Sequence, residues 1–459
     1  MKKGDKSNFS RRLFLKQSGI LGAGIVAAGT NNSLYGFNIG DSTVPAILGG
    51  TPVHKTGWSK WPIWEPSTDE ELVLKVLRSG RWSRGKVVDE FEKAWAETIG
   101  SKRCLATTNG THAQITALRQ LGIGAGDEVI VSPYTFISTV VTVLMVGAIP
   151  VFVDTNPATF QINTDKIEAK ITSRTVAIQP VHILGFPANI EKIMAIARKH
   201  KLFVIEDACQ AWQAEVNHKK VGAFGDAGCF SFQNSKNMPI GEGGAIVSDN
   251  DKFMDRCFSF HNFGRPHGKV VGTVEGGYEI LGSKCRMTEY QAAIGLAQLK
   301  RLDGQNTHRE INGKYLRAQI KDIPGILPYE LSENVTRAVF HLFPFRYKKE
   351  EFKGLSRSKF QKALSAEGIP CSTGYRPLNT MPYLKDAFET KNFQKVYPKE
   401  MLDFDGYLER NQCPQNDQLC EEAVWFGQNM LLGTRSDMND IAGAIEKIHK
   451  NAGILNNMA

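Results

Sequence analysis

The sequence predicts an α/β fold: a mainly parallel sheet covered by helices on both faces, followed by a smaller α+β domain. Two observations carry this. From about residue 100, short β-rich apolar runs alternate with segments of helical length, the pattern that builds βαβ units. Beyond the early three hundreds the alternation stops, and Pro324, Pro328, Pro344 and Pro370 punctuate shorter elements. At 459 residues the chain is long enough for two cores. Three parts are expected: a leader over 1–35, a large domain over 36–312 and a small domain over 313–459.

In chain order, the leader comes first. Ser10-Arg11-Arg12-Leu13-Phe14-Leu15-Lys16 precedes a Gly/Ala-rich apolar stretch from Ile20 to Ala28. A twin arginine before a short, weakly apolar segment has the form of a twin-arginine export signal. The stretch is too short for a stable membrane span. Its glycines, Gly19, Gly22 and Gly24, follow a basic segment rather than a strand, so they do not make a dinucleotide fingerprint. The expected location is periplasmic, or cytoplasmic if the signal is not used. Eight cysteines suit an oxidising compartment less well.

The body of the chain follows. Apolar runs at 128–132, 149–153, 175–181, 202–205, 228–232 and 244–247 are the expected strands, with a helix at 190–200 among them. A long helix is expected over 288–306, and the amphipathic stretch 438–450 closes the chain. Hydrophobic residues at 42% and charged residues at 22% are ordinary for a soluble globular protein. The net charge of +9 is spread in pairs such as Lys219-Lys220 and Lys348-Lys349. A nucleic-acid footprint needs clustered charge, so no such partner is expected. The cysteines contain no C-x-x-C pair and the ten histidines form no ligand set; free thiols are expected, and no metal centre.

Sheets of this kind bind ligands at the carboxyl ends of their strands, which singles out four segments. Phe230-Ser231-Phe232-Gln233-Asn234-Ser235-Lys236 leads out of a strand and is followed by Gly241-Glu242-Gly243-Gly244. Lys236 can present its amine to a ligand there, although alone it reads better as a solvated loop residue. Val204-Ile205-Glu206-Asp207-Ala208 ends another strand in an acidic pair, either a helix cap or the partner of a protonated ring nitrogen. Thr107-Thr108-Asn109-Gly110-Thr111 opens a helix, whose free N–H groups and dipole suit a phosphate. Pro133-Tyr134-Thr135-Phe136 brings an aromatic ring to the same edge, for core packing or for stacking on a planar cofactor.

Further motifs are Gly126-Asp127-Glu128-Val129-Ile130, Gly147-Ala148-Ile149-Pro150-Val151-Phe152-Val153-Asp154, Pro180-Val181-His182 through Gly185, and Arg286-Met287-Thr288-Glu289-Tyr290-Gln291-Ala292-Ala293. Together with the lysine loop they resemble the DegT/DnrJ/StrS aminotransferases, from Ile47-Leu48-Gly49-Gly50 to the C-terminus. The resemblance implies a fold-type-I transferase with a seven-stranded sheet, pyridoxal 5′-phosphate as cofactor, and a homodimer with shared active sites. It makes Lys236 the Schiff-base lysine and catalytic base, and Asp207 the partner of the pyridine nitrogen. Gln210 falls where the family contacts the ring substituent, Phe136 where it stacks, and Gly110, Thr111 and Ser231 where it cradles the phosphate. Lys284 stands in place of an Asn that reaches the neighbouring subunit's phosphate.

Other positions depart from the family. Gln233 replaces the lysine-loop His, Trp212-Gln213 replaces His-Gly, and Tyr375-Arg376-Pro377 replaces His-Tyr-Pro. These changes spare the cofactor chemistry but point away from a nucleotide sugar. Glu422-Ala423-Val424-Trp425 with Leu431-Leu432-Gly433 resembles the tail of glutamine-dependent scyllo-inosose aminotransferases. The expected reaction moves an amino group from glutamine or glutamate to a keto-sugar or cyclitol ketone. The alternatives are an exported sensory homologue that binds the cofactor without turnover, and a cofactor-dependent sugar dehydratase. In the enzymes resembling the dehydratase reading a His replaces the lysine, so Lys236 argues against it.

Overall fold

A computed structural model of the chain describes residues 41–268 and 277–458; the leader at 1–35 lies outside the described residues. At its centre is a seven-stranded sheet. The strands are β1 (Arg103–Thr107), β2 (Glu128–Val131), β3 (Ile149–Phe152), β4 (Thr175–Gln179), β5 (Phe203–Asp207), β6 (Ala227–Ser231) and β7 (Gly244–Ser248), in the order β1-β7-β6-β5-β4-β2-β3. Only β7 runs against its neighbours; the remaining pairings are parallel. β2, β6 and β7 are buried along their whole length, as strands covered on both faces must be, and this makes them continuous apolar runs in the sequence.

Two elements differ from expectation. β1 has no counterpart among the expected strands. Its apolar core is only Cys104-Leu105-Ala106, and it sits at the sheet edge, with β7 as its one neighbouring strand among the described residues. β5 ends at Asp207 rather than at residue 205, so the acidic pair belongs to the strand and does not cap a helix. Burial of a carboxylate is tolerated there because Glu206 is satisfied from several sides. It accepts from the N–H groups of Gly222, Phe224 and Gly225 and pairs with His182 at 2.9 Å.

The long helix, Glu289–Ile320, starts where expected but runs well past residue 306. Its second half buries Asn306, Arg309 and Asn312, which breaks the apolar period and hides the helix from a pattern reading. These side chains bond Trp212 O, Gln428 Oε1 and Leu431 O. A second, antiparallel sheet joins Ile326–Pro328, Leu342–Tyr347, Ala423–Gly427 and Ser372–Thr373 in that order. The helices Arg357–Ala366 and Arg435–Lys450 contribute to its core.

The two cores exchange segments. Leu48, Val53 and Trp58, from the start of the described chain, pack into the core of the second sheet. Leu384, Phe388, Tyr397 and Tyr407 instead pack with Val131, Ile149 and Phe152 of the large sheet. Tyr397 accepts from Gly126 N–H at 2.8 Å, and Tyr407 donates to Pro150 O at 2.7 Å. A single cut between 312 and 313 therefore does not separate the cores, because apolar pattern alone does not say which core a segment joins. The eight cysteines are free, five buried and three half-buried. Among the described residues no helix is long and apolar enough to cross a membrane.

Candidate active site

The carboxyl ends of β2, β5 and β6 open onto one cavity of about 550 Å³. Seven of the eight predicted site residues line it: Gly110, Thr111, Phe136, Asp207, Gln210, Ser231 and Lys236. Lys284 does not. It is exposed and pairs its backbone with Asn262 in an isolated β-bridge. A larger cleft of about 870 Å³, between Arg84 and Arg103, holds none of the eight. Chemistry rather than volume selects the smaller cavity.

Along β5 successive side chains point to opposite faces, and this divides the acidic pair. Glu206 turns into structure. Burial alone would push its carboxyl up, but the bond and charge of His182 and the N–H groups of Gly222 and Gly225 outweigh that and hold it low. His182 Nδ1 accepts from Ala188 N–H at 3.1 Å, so its other nitrogen carries the proton that Glu206 accepts.

Asp207 faces the cavity. Its Oδ2 accepts from Gln114 Nε2 at 3.0 Å and from the Thr139 hydroxyl at 2.8 Å, and its Oδ1 accepts from Cys209 N–H at 3.2 Å. Neither Gln114 nor Thr139 stood out in the sequence. Their signal is a polar side chain on a buried helical position, in Gly110–Gln120 and Ser138–Met145 respectively.

Lys236 is half-buried, with its amine facing the same cavity. Burial holds that amine below the ordinary lysine range, and Cys209 and Asp207 oppose the effect only in part. A larger fraction of the amine is thus neutral near neutral pH, as a nucleophile or base requires. His341, absent from the sequence reading because it sits alone in an apolar stretch, also lines the wall. Burial first, then the charges of Lys236 and Arg309, push its ring well below the usual histidine range, so it is neutral.

The phosphate end is built by the helix Gly110–Gln120, capped by Asn109, which accepts from His112 N–H at 2.9 Å. The first N–H groups of a helix have no intrahelical acceptor. A Cβ at Gly110 would stand 2.7 Å from Cys209 Sγ and 2.9 Å from Ser231 Cβ, so glycine lets the helix start press against β6. Gln210 is clamped at both ends of its amide, donating to Tyr375 Oη at 2.7 Å and accepting from Leu184 N–H at 2.9 Å. Phe136 is 55% exposed at the cavity edge, whereas neighbouring Tyr134 is fully buried, so the stacking candidate is the ring left free of the core.

Amine, carboxylate, free aromatic face and anion cradle match the aldehyde, ring nitrogen, ring and phosphate of pyridoxal 5′-phosphate. Fold and site together define a fold-type-I enzyme of that cofactor. The comparisons with known proteins agree. The L-glutamine:2-deoxy-scyllo-inosose aminotransferase of Streptomyces kanamyceticus is 33% identical over 426 residues, covering 89% of this chain and 98% of its own. The spore coat polysaccharide biosynthesis protein SpsC of Bacillus subtilis is 38% identical over 327 residues, covering 70% and 83%. Among solved structures, 3-amino-5-hydroxybenzoic acid synthase superposes with a TM-score of 0.74 at 29% identity, over 87% of this chain and 99% of that one. An aminotransferase from Psychrobacter cryohalolentis gives the same score and identity, over 86% and 99%. The chain belongs to the DegT/DnrJ/EryC1/StrS aminotransferase family, which matches residues 65–402. It is a transaminase, and pyridoxal 5′-phosphate is its cofactor.

Proposed function

We propose that the enzyme takes an amino group from glutamine or glutamate and delivers it to the ketone of a cyclitol or free keto-sugar. The observation that carries this is the convergence of Lys236 and Asp207 on one cavity. The named activity of the Streptomyces relative, a glutamine-dependent cyclitol amination, supports the substrate class.

When bound, the cofactor supplies an aldehyde that captures amines and a protonated ring that draws electrons from the bond being broken. The chain's own residues do the rest. Gly110, Thr111 and Ser231 would hold the phosphate, Phe136 would cover the ring, and clamped Gln210 would meet its substituent. Asp207, fixed by Gln114, Thr139 and Cys209, would be the partner of the ring nitrogen. Lys236 would hold the cofactor through its amine. With the donor bound, the same amine, held below the ordinary lysine range by burial, would take the proton from the donor's Cα and return it on the other side of the transfer.

The reading extends to a homodimer in which Lys284 of one subunit reaches the phosphate held by the other, and to export of the folded enzyme by the twin-arginine route. Exposure of Lys284 supports the first, and Arg11-Arg12 ahead of the Gly/Ala-rich stretch supports the second. Amino acids, then cyclitol ketones and keto-sugars, incubated with the purified enzyme test the activity. Conversion of glutamine or glutamate to its 2-oxo acid, with an amine appearing on a polyol ketone, is the expected result. Amination confined to nucleotide-linked sugars contradicts it.

A further inference from the structure

The lysine loop is fastened from behind by a buried arginine. Arg309 lies inside the helix Glu289–Ile320, is fully buried, and forms no salt bridge among the described residues. Burial pulls its guanidinium down to about 9. A buried cation without a carboxylate is costly, and an apolar residue of similar volume would fill the space without that cost.

Its partners are neutral, and two of them lead to Lys236. Nε and Nη2 donate to Gln428 Oε1 at 2.9 and 2.6 Å, and Nη1 donates to Asn306 Oδ1 at 3.1 Å. The guanidinium also lies over the ring of Trp61, 5.1 Å from its centroid. Trp61 Nε1 donates to the carbonyl of Lys236 at 3.1 Å. Asn306 Oδ1 accepts a second bond, 3.2 Å, from Asn237 Nδ2, the residue next to Lys236. Asn237 Nδ2 donates in addition to Val339 O at 2.8 Å, and its Oδ1 lies 3.4 Å from His341 Nδ1.

We propose that Arg309 is a positioning residue for Lys236: through Trp61 on one side, and Asn306 with Asn237 on the other, it fixes the main chain that carries the amine. Through Gln428 the same hub ties the loop to the end of the strand Ala423–Gly427 in the second sheet. Through Trp61 it ties in the N-terminal segment, so three other parts of the chain set one lysine. The inference rests on Lys236 as the cofactor-bearing lysine.

Amide hydrogen exchange on the cofactor-free protein reads the loop directly, because the N–H groups of Lys236 and Ile240 are bonded to Gln233 O and Phe232 O. In Arg309→Met, peptides covering 233–240 should exchange roughly tenfold faster or more, while the helix Gly110–Gln120 keeps its protection. In the loaded enzyme kcat should fall about tenfold, with the donor KM within about twofold. Arg309→Lys should recover part of both. Trp61→Phe, which keeps a ring beneath the guanidinium but loses the bond to Lys236, should move both readouts the same way by less. The double variant should be little worse than Arg309→Met alone, since the two act in series.

Unchanged loop exchange in Arg309→Met, or effects that multiply in the double variant, overturns the proposal. If Arg309→Met does not fold, Trp61→Phe decides, and unchanged exchange there overturns it equally. Cofactor attached to another lysine would overturn the reading beneath the proposal, and leaves the exchange result separately legible.

Discussion

The hydroxyl of Thr139 donates to Oδ2 of Asp207 at 2.8 Å, beside the Gln114 amide at 3.0 Å. With Cys209 N–H on Oδ1, the carboxylate accepts three bonds and keeps acceptor capacity for one more donor from the cavity. Asn at this position cannot serve three donors as well, and it carries no charge to hold a ring nitrogen protonated. In Asp207→Asn the cofactor content of the purified enzyme should stay near normal. The half-reaction with the amino donor should slow by ~10²-fold or more, each factor of ten being about 1.4 kcal/mol of barrier. Stopped-flow absorbance against equilibrium cofactor content separates the two. A variant with unchanged half-reaction rate contradicts the role.

Lys236 should cost the cofactor-free protein stability. The unfolded chain holds the lysine proton up to about pH 10.4, whereas burial makes the folded chain release it earlier. Between those two values the unfolded state binds more protons, so stability rises with pH there, and the cost is largest at the low-pH end. Each unit of depression corresponds to about 1.4 kcal/mol. Lys236→Met should raise the urea midpoint of the apo-protein near pH 7, and the gain should shrink as pH approaches 10. A gain independent of pH, or growing with it, counts against an amine whose proton affinity is lowered by burial.

Lys284→Ala should weaken binding of pyridoxal 5′-phosphate by about one to two orders of magnitude, as expected from losing a charge-assisted bond worth ~1.5–3 kcal/mol. Its thermal unfolding should be unchanged, because the side chain is exposed. Titration of apo-protein with cofactor, alongside light scattering for the dimer, measures both. Unchanged affinity, or full activity as a monomer, rules out the contact across subunits.

Replacing Arg11 and Arg12 by lysines should hold the enzyme in the cytoplasm at precursor size, because export by this route depends on the arginine pair. Fractionation of cells expressing both forms provides the measurement. A variant that is still exported, or a wild type that stays inside, removes the export reading.

The sequence displayed the site better than it displayed the scaffold. Lys236 and Asp207 stand out because each follows or ends an apolar run, and strand ends in a parallel sheet face one edge; Gly110 stands out because small and hydroxyl residues open a helix there. The split between Glu206 and Asp207 came only from the family resemblance and not from the apolar pattern, since it depends on which face of β5 carries His182 and three inward N–H groups. The helix beyond residue 306 was hidden by its own buried polar residues, Asn306, Arg309 and Asn312, whose partners lie about 90 to 120 residues away. The exchange of segments between the cores was hidden for a related reason. Leu384 and Tyr397 read as small-domain residues, and only the folded chain shows them against β2 and β3.

Borohydride reduction of the holoenzyme followed by peptide mapping shows which lysine carries the cofactor, the role proposed for Lys236. The expected result is a visible band that reduction bleaches, a cofactor-sized mass fixed on the peptide containing Lys236, and no such adduct in Lys236→Ala. That variant should still bind the cofactor non-covalently, since the cradle at Gly110 and the Asp207 carboxylate persist, and should turn over at least ~10²-fold more slowly. Label on a different lysine, or an active Lys236→Ala enzyme, would contradict it.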